Sequence, residues 1–317
     1  MKSLLITRPL PDAVLEKARG TFQTTVRLNN LPMQSDELRD ALRNFDMVLP
    51  TLGDAFDAQV FADVSAPRCK LLANFGVGFN HIDVEAAAKA NVLVSNTPGA
   101  VTDATADVAM TLILMSARRA GEGERLVRSG QWKGWHPTQM LGLHVTGKTV
   151  GIAGMGRIGQ AIAQRCHYGF GMAVKYWNRS EKDLPYDAER VEDLAALAAQ
   201  VDILVAAVPG GAETQHLFNA EVFGAMQCHA HFINISRGEV VKESALVAAL
   251  QNNEIGGAGL DVYEFEPRVP DALRKLDNVT LLPHLGTAAL EIRTQMGLMA
   301  VDNLLAYEQG EIPPNLV

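Results

Sequence analysis

Short hydrophobic runs alternate along this chain with longer stretches of amphipathic sequence. Several runs are apolar at consecutive positions, which is typical of strands buried on both faces of a parallel sheet covered by helices. The predicted strands are Leu4–Thr7, Met47–Pro50, Leu71–Phe75, Val92–Ser95, Thr149–Ala153, Ala173–Trp177, Asp202–Val208, His231–Ile235 and Thr280–Pro283. This alternation predicts an α/β fold of doubly wound parallel sheets.

Two long helices are also predicted from the hydrophobic pattern. The longer one extends from about Thr102 to Arg128, and its middle, Val108–Met115, is apolar almost all round and must be buried on several sides. The second covers Leu290–Ala306, near the C-terminus. The segment Ser129–Gly147 is interrupted by Gly, Pro and Trp residues, and it predicts an extended excursion.

The size and charge of the chain limit its possible functions. Its 317 residues suffice for about two domains. Hydrophobic residues make up 48% and charged residues 20%, which is the balance of a globular protein rather than a disordered one. The formal net charge is −8, and the sequence contains no cluster of Lys and Arg. Nucleic acid is therefore not an expected partner.

Neither the cysteines nor the N-terminus indicates export. Cys69, Cys166 and Cys228 are scattered without a C-x-x-C pair, which predicts reduced thiols and neither a disulfide framework nor a zinc site. The first apolar run is short and meets Arg8 and Pro9, so it predicts a buried strand rather than a signal peptide. No run approaches the ~18 apolar residues of a membrane span. We expect a cytoplasmic protein with no metal and no membrane partner.

The strand Thr149–Ala153 leads directly into a G-x-G-x-x-G motif that opens a helix. Gly154 allows a tight turn, Gly156 lets backbone amides approach a pyrophosphate, and Gly159 lets the helix pack closely on the strand. The N-terminus of the helix adds partial positive charge and free N–H donors. The motif predicts a dinucleotide site, with a glycine-rich turn that binds nothing as the alternative. Its predicted loop residues are Gly154, Gly156, Arg157, Ile158 and Gly159.

The end of the next strand predicts which dinucleotide binds. A protein that prefers NAD normally has Asp or Glu there for the ribose 2′-hydroxyl, whereas this chain has Asn178, Arg179 and Ser180. Without the carboxylate a 2′-phosphate is not repelled, and a guanidinium can pair with it bidentately. We therefore predict NADPH, with NADH possible but weaker. The alternative is that Arg179 is a solvated surface residue, and the nearby Glu181 and Asp183 weaken the case for a phosphate site.

Three later strand-like runs end in chemically useful side chains, namely Arg237, Glu266 and His284. Ligands in open α/β sheets bind beyond the carboxyl ends of the strands, so these side chains are expected at one crevice. Each also has a purely structural explanation. Arg237 could form an ion pair at a helix entry, Glu266 could belong to a turn before Pro267, and His284 could be a hydrogen-bonded structural residue.

Together the three residues suit the reduction of a carbonyl group. A protonated His can give a proton to the alkoxide that develops as a hydride reaches the carbonyl carbon. A carboxylate beside the His favours the imidazolium form. An Arg can bind a substrate carboxylate and polarise a 2-oxo group. Downstream of a nucleotide loop, Arg237, Glu266 and His284 are predicted to be catalytic.

These segments resemble the D-isomer-specific 2-hydroxyacid dehydrogenase family. The matching stretches, which follow the family order over most of the chain, are Asn74–Asp83, Asn96–Asp107, Val150–Gly159, Phe232–Val241, Ala258–Pro267 and Leu282–Thr287. Within the family the chain is most similar to glyoxylate/hydroxypyruvate reductases, through Trp132–Thr138, the run that ends at Gly238, and Asn178–Ser180.

The resemblance implies site residues that spacing alone does not show. The amides of Val77 and Gly78 would bind the substrate carboxylate together with Arg237, as consecutive amides in a glycine-rich turn can. Further residues would lie near the cofactor, namely Val208, Pro209, Ile235, Asp261, His284 and Gly286. The family loop often carries an Asp where Phe79–Asn80 stands here, so the preferred substrate side chain stays open.

The resemblance also implies a discontinuous domain organisation. A flavodoxin-like substrate domain would comprise residues 1–99 plus 288–317, and a Rossmann NAD(P)-binding domain would comprise residues 100–287. The helix from Thr102 and the Trp-rich excursion would build a homodimer interface. In similar reductases an aromatic residue there reaches the partner's active site, which would make Trp135 part of the substrate pocket. The alternative is that Trp132 and Trp135 only anchor an interface or the core.

The expected function is NADPH-dependent reduction of small 2-oxo acids, such as glyoxylate and hydroxypyruvate, to D-2-hydroxy acids. The D configuration is implied by the resemblance alone. Alternatives within the family are a 2-ketogluconate or other sugar-acid reductase and a 3-phosphoglycerate dehydrogenase. The latter often carries an extra regulatory domain, for which we expect no room here. A nucleotide-sensing corepressor is the non-enzymatic alternative, although no long disordered recruitment tail is evident.

Overall fold

The computed structural model describes residues 1–317 and contains twelve strands and twelve α-helices. The strands are β1 Ser3–Ile6, β2 Gln23–Val26, β3 Met47–Leu49, β4 Leu71–Ala73, β5 Leu93–Ser95, β6 Thr149–Ala153, β7 Ala173–Trp177, β8 Ala188–Arg190, β9 Ile203–Ala206, β10 His231–Asn234, β11 Gly257–Leu260 and β12 Val279–Leu281. The helices are α1 Asp12–Thr21, α2 Ser35–Asn44, α3 Ala58–Ala62, α4 Val84–Lys89, α5 Thr102–Ala117, α6 Ala120–Arg128, α7 Arg157–Phe170, α8 Leu194–Ala198, α9 Ala220–Ala225, α10 Glu243–Gln251, α11 Asp271–Arg274 and α12 Leu290–Glu308.

The chain divides into two compact units, and the first comprises Met1–Val101 and Thr287–Val317. Its five strands are all parallel, in the order β2-β1-β3-β4-β5. This is the flavodoxin-like order. Helix α12 from the end of the chain packs on α1, where a Cβ atom at Gly297 would lie 2.5 Å from the Val14 side chain. The glycine therefore permits a close helix contact that joins the two ends of the chain in one core.

The second unit, Thr102–Gly286, contains a seven-stranded parallel sheet in the order β12-β11-β10-β9-β6-β7-β8. From β8 to β11 this is the Rossmann order, and β12 adds a seventh strand. All residues of β9 and β10 are buried, as expected for strands covered by helices on both faces. The predicted class, α/β with two doubly wound parallel sheets, is confirmed.

Two edge strands, β2 and β8, were not predicted from the hydrophobic pattern. Both alternate between exposed and half-buried residues and contain polar side chains. An edge strand has a hydrogen-bonded neighbour on one side only, so it can pair without a continuous apolar run. The pattern therefore identified the central strands better than the edges.

The prediction of one helix from Thr102 to Arg128 was wrong. The chain forms α5 and α6 instead, because Arg119 adopts a left-handed conformation with φ of 53° that interrupts the helical path. Within the apolar middle of α5, Leu112 and Ile113 are fully buried as expected, whereas Leu114 is exposed. The residues from 131 to 136 belong to no helix or strand and are exposed. No helix in the structure combines the length and the hydrophobicity needed to cross a membrane.

Candidate active site

The loop between β6 and α7 can be built only from glycines at two of its positions. Gly154 has a φ of 101°, and a Cβ atom there would lie 2.6 Å from the carbonyl oxygen of Ala207. A Cβ atom at Gly159 would lie 2.0 Å from the carbonyl oxygen of Gly154. The loop thus lies tightly between the first turn of α7 and the segment after β9. Since the order of strands reverses between β6 and β9, this loop lies at the topological switch point of the sheet.

The residues of this loop fit the pyrophosphate of a dinucleotide. A Cβ atom at Gly156 would meet nothing within 4 Å, so the outer side of the loop leaves room for a close ligand. Helix α7 begins there without a side-chain cap and without an acidic residue in its first turn. The first amides of a helix, here those of Arg157 and Ile158, have no acceptor within the helix. These donors and the positive end of the helix dipole suit a phosphate group.

Asn178, at the end of β7, ties the glycine loop to the segment that follows. Its Oδ1 accepts a hydrogen bond from the Met155 amide at 3.2 Å, and its Nδ2 donates to the Ser180 carbonyl at 2.8 Å. The Asn178 side chain therefore connects the glycine loop to the segment after β7, at the position where a carboxylate would contact the ribose.

Arg179, next along the chain, extends into solvent with 82% of its side chain exposed. It forms an exposed ion pair with Glu213 at 3.3 Å. Sequence reasoning missed Arg190, whose Nε donates to the Asn178 carbonyl at 3.2 Å. A second guanidinium thus lies beside the same loop, brought there by the edge strand β8 that the hydrophobic pattern did not predict.

Glu266 and His284 come from the segments after β11 and β12 and are in direct contact. Glu266 Oε2 lies 2.9 Å from His284 Nδ1, and its Oε1 accepts from the Tyr263 amide at 3.0 Å. Burial acts to raise the pKa of Glu266, but the hydrogen bond and charge of His284, the Tyr263 amide and the nearby Arg237 together hold that pKa below its usual 4.5. The carboxylate is therefore kept ionised beside the imidazole.

Asp261 holds the turn that carries His284. It is 1% exposed, and its two carboxylate oxygens accept hydrogen bonds from the amides of Leu285 at 2.6 Å and Gly286 at 2.8 Å. Its backbone carbonyl accepts from the His284 amide at 2.9 Å. His284 has a φ of 57°, a conformation that costs free energy in a non-glycine residue unless its surroundings fix it. The three bonds to Asp261 supply that constraint.

Arg237 is held in a similar way by a residue that sequence reasoning missed. Asn234, 1% exposed at the end of β10, donates from Nδ2 to the Arg237 carbonyl at 2.9 Å and accepts from the Ser236 amide at 3.0 Å. Burial lowers the pKa of Arg237, while the charges of Glu266 and Glu239 oppose that effect. A buried Asn at the last position of a hydrophobic strand was the available signal for this positioning role.

Gly238 brings the Arg237 turn against the segment that leads to Glu266. A Cβ atom there would lie 1.8 Å from the Tyr263 carbonyl oxygen, so only glycine allows the two backbones to approach this closely. Tyr263 in turn donates from its hydroxyl to the Leu282 carbonyl at 2.8 Å, two residues before His284. The structure thus brings Arg237, Glu266 and His284 together at the carboxyl ends of three neighbouring strands.

The other residues expected near the cofactor lie around the same edge of the sheet. Val208 and Ile235 are buried, and Pro209 is exposed directly after Val208. The buried Gly286 accepts a hydrogen bond from the Thr105 hydroxyl at 3.2 Å through its carbonyl. These residues surround the loops of the cluster without themselves carrying reactive groups.

The loop with Val77 and Gly78 belongs to the first unit, where the buried Asn74 and the half-buried Asn96 bind its carbonyl groups. Asn74 Nδ2 donates to the carbonyls of Gly76 at 3.1 Å and Gly78 at 3.0 Å, and Asn96 Nδ2 donates to the Val77 carbonyl at 2.9 Å. In a trans peptide the N–H points away from the preceding carbonyl. The amides of Val77 and Gly78 therefore point away from these asparagines and have no acceptor in the protein.

Trp135 is not brought to the cluster of Arg237, Glu266 and His284 within this chain. Trp135 is 78% exposed and Trp132 is 51% exposed, and both lie in the segment 131–136, which forms no helix or strand. No ring contact involves either tryptophan. A role for Trp135 in the substrate pocket stays a prediction.

Known proteins with the same organisation match nearly the whole chain. The family model for the NAD-binding domain of D-isomer-specific 2-hydroxyacid dehydrogenases matches residues 110–286. The glyoxylate reductases of Pyrococcus horikoshii and Thermococcus kodakarensis are each 42% identical, over 99% of this chain and 95% of theirs. An NADPH-dependent glyoxylate/hydroxypyruvate reductase from Sinorhizobium meliloti, solved with NADP and malonate, has a TM-score of 0.88 and 34% identity, over 100% of this chain and 96% of its own.

The glycine loop, the strand order and these matches lead to one conclusion. The family model covers more than half of the chain, and the two archaeal relatives cover almost all of it. The chain therefore belongs to the D-isomer-specific 2-hydroxyacid dehydrogenase family and is an oxidoreductase that uses a nicotinamide dinucleotide.

Proposed function

We propose that this protein reduces small 2-oxo acids, glyoxylate and hydroxypyruvate foremost, to D-2-hydroxy acids with NADPH. The observation that carries the proposal is the contact between Glu266 and His284 beside Arg237, at the edge of the sheet that also carries the glycine loop. The names of the archaeal relatives and of the Sinorhizobium reductase support glyoxylate and hydroxypyruvate as substrates.

His284 is the proposed general acid. Its Nδ1 bonds to Glu266, which leaves Nε2 to hold the proton for the substrate oxygen. Glu266 fixes the orientation of the ring and stabilises the imidazolium that donates this proton. A bound nicotinamide dinucleotide supplies the hydride to C2 of the substrate.

Arg237 is the proposed residue for substrate binding and carbonyl polarisation. Its guanidinium carries a fixed positive charge in a buried setting, where attraction to a carboxylate is stronger than in water. The amides of Val77 and Gly78 are proposed to bind a substrate carboxylate, because they lack acceptors in the protein. The dicarboxylate malonate in the Sinorhizobium structure supports recognition of carboxylates.

The proposed preference for NADPH depends on the segment after β7. It has no carboxylate at Asn178 to repel a 2′-phosphate, and Arg179 is free of burial and able to turn toward that group. The NADP in the Sinorhizobium structure supports this choice of coenzyme. NADH is proposed as the weaker alternative.

The proposal also includes the roles of the two domains and the formation of a homodimer. Residues 1–99 with 288–317 would form the substrate domain, and residues 100–287 would bind the coenzyme. A homodimer would cover the exposed Trp132 and Trp135, and would carry Trp135 to the partner's pocket. Size-exclusion chromatography and sedimentation of the purified protein would show whether it forms this dimer.

The decisive experiment measures coenzyme oxidation with a panel of 2-oxo acids. Glyoxylate, hydroxypyruvate, 3-phosphohydroxypyruvate and 2-ketogluconate would each be offered with NADPH and with NADH. We expect the highest kcat/KM for glyoxylate or hydroxypyruvate with NADPH. Preference for 2-ketogluconate would establish the sugar-acid alternative, and absence of turnover with every pair would contradict the proposal.

A further inference from the structure

The loop of residues 209–217, which connects β9 to α9, lies directly against the Arg237 side chain. A Cβ atom at Gly210 would lie 2.8 Å from Arg237 Cγ and 2.6 Å from Glu239 Oε1, closer than real Cβ atoms approach. Only glycine therefore lets this backbone rest on the aliphatic stem of the arginine. If the 209–217 loop moved, the Arg237 side chain would lose the backbone that it packs against.

Glu239 binds the 209–217 loop at two points. Its Oε1 accepts a hydrogen bond from the Gly211 amide at 2.9 Å, and its backbone carbonyl accepts from the His216 amide at 2.9 Å. Hydrogen bonds to an ionised acceptor are the stronger kind. The charge of Glu239 also acts on Arg237, where it opposes the effect of burial on the guanidinium. The Glu239 carboxylate thus binds the backbone of the 209–217 loop and also acts electrostatically on the Arg237 guanidinium.

The other end of the loop is fastened to the segment that carries Glu266. His216 Nε2 lies 2.6 Å from Glu264 Oε1, and Glu264 Oε2 accepts from the Glu243 amide at 3.1 Å. Glu264 precedes Glu266 by two residues. The loop is therefore held between the Arg237 turn and the Glu266 segment by two glutamates that are not among the proposed catalytic residues.

We propose that Glu239 is a positioning residue that couples the 209–217 loop to Arg237, so that coenzyme binding and the alignment of Arg237 for the substrate carboxylate depend on each other. The loop directly follows Val208, and a Cβ atom at Gly154 would lie 2.8 Å from the Val208 nitrogen, so the start of the 209–217 loop lies beside the glycine loop. The inference rests on the proposed function, because it concerns the reaction in which Arg237 binds a 2-oxo acid.

Two substitutions separate the hydrogen bond of Glu239 from its charge. Glu239→Gln keeps an oxygen acceptor for the Gly211 amide, whereas Glu239→Ala removes both acceptor and charge. We expect Glu239→Ala to weaken NADPH binding and to raise the KM for glyoxylate, each by about ten- to a hundredfold, with a smaller change in kcat. Glu239→Gln should restore NADPH binding to near the wild-type value but keep a raised KM for glyoxylate.

A third substitution tests the packing without touching any charge. Gly210→Ala would push its methyl group against Arg237 Cγ and Glu239 Oε1, and it should raise the KM for glyoxylate although both charged side chains are still present. Glu221→Gln, on the exposed start of α9, is the matched control and should behave as the wild type. Thermal unfolding of each variant would show that the fold is retained.

Fluorescence titration with NADPH measures the affinity of each variant for the coenzyme without any turnover. Unchanged NADPH affinity and unchanged KM in Glu239→Ala would overturn the inference, even if the wild-type protein is an active reductase. Equal losses in the Gln and Ala variants would also overturn it, because a merely structural residue would not separate the two effects. Failure of the wild-type protein to reduce any 2-oxo acid would instead reject the proposed function, and the titration would still test the coupling of loop and coenzyme.

Discussion

Glu266 Oε2 and His284 Nδ1 lie 2.9 Å apart, although eighteen residues separate them in the chain. The contact forms because β11 and β12 are adjacent and parallel, so that the segments following them emerge at the same edge. The pair orients one imidazole nitrogen and leaves the other for proton transfer. The expected consequences of this arrangement can be measured.

Replacement of His284 by Ala removes the proposed general acid. We expect kcat for glyoxylate reduction to fall by about two to four decades, the usual contribution of general acid catalysis. NADPH affinity, measured by fluorescence titration, should change little. His144→Ala, at an exposed position, is the matched control. A near-normal kcat in the His284 variant would remove this residue from the proton-transfer step.

Replacement of Glu266 by Gln keeps the size of the side chain but removes its charge. Because the imidazolium then loses its anionic partner, we expect kcat/KM near neutral pH to fall by about a hundredfold. The pKa of Glu266 lies below its usual 4.5, so the wild-type carboxylate should stay ionised as the pH falls toward that value. A pH profile of kcat/KM that is identical for wild type and variant would argue against a role for this carboxylate.

Replacement of Arg179 by Ala tests the proposed coenzyme preference. Loss of the guanidinium removes the partner for the 2′-phosphate, so the KM for NADPH should rise by about tenfold or more. The KM for NADH should stay within about twofold, since NADH has no such phosphate. Arg274→Ala, a similarly exposed arginine on α11, is the control. Equal effects on both coenzymes would contradict the assignment of Arg179.

Replacement of Asp261 by Asn tests the turn that carries His284. An amide can accept only one of the two hydrogen bonds now made to the amides of Leu285 and Gly286, and it does so without charge. We expect the free energy of unfolding, measured by urea denaturation, to fall by about 1–3 kcal/mol. Activity should fall as well, because His284 loses its constraint. Full stability and full activity in this variant would show that the turn is held by other contacts.

We expect the protein to lose stability in mild acid because of the buried His231. Burial, with a smaller effect from His229, lowers the pKa of His231 from 6.5 to about 4. The unfolded chain therefore binds a proton that the folded protein does not, and stability should decrease as the pH falls from 6.5 to about 4, by about 1.4 kcal/mol per pH unit. Asp46 contributes outside this window, because the hydrogen bond from Arg68 holds its pKa well below 3.8.

The matched variant isolates this effect. His231→Asn removes the titrating group while keeping a polar partner for Ser116 Oγ, which lies 2.8 Å from His231 Nδ1. The variant should lose less stability between pH 6.5 and 4 than the wild type, whatever its stability at pH 7. His144→Asn should keep the wild-type slope. Parallel slopes in wild type and His231→Asn would show that another group dominates in this range.

Much of the fold could be predicted because its signals are local. The run Thr149–Ala153 and the glycines after it show the strand, turn and helix of a dinucleotide site, since backbone sterics at Gly154 and Gly159 leave no alternative residue. Central strands were recognisable because burial on both faces requires consecutive apolar residues. Edge strands β2 and β8 escaped prediction because one exposed side places no such demand on their sequence.

The break between α5 and α6 was not predictable from helix propensity. Arg119 adopts its left-handed conformation while its side chain forms an ion pair with Glu122 at 2.8 Å, and α6 begins at the next residue. The glycines of α6, which have low helix propensity, remain helical. No residue of α6 is buried, so neither helix propensity nor a buried apolar face marks this helix in the sequence.

By itself the sequence determined that Arg237, Glu266 and His284 follow strands and that a dinucleotide loop precedes them. The tertiary structure alone decided which of these groups touch. Asn234 and Asp261 hold two turns from buried positions, and Gly210 allows a loop to lie on Arg237. Such contacts join residues far apart in the chain, so they depend on strand order and on close backbone approach, neither of which leaves a periodic trace in the sequence.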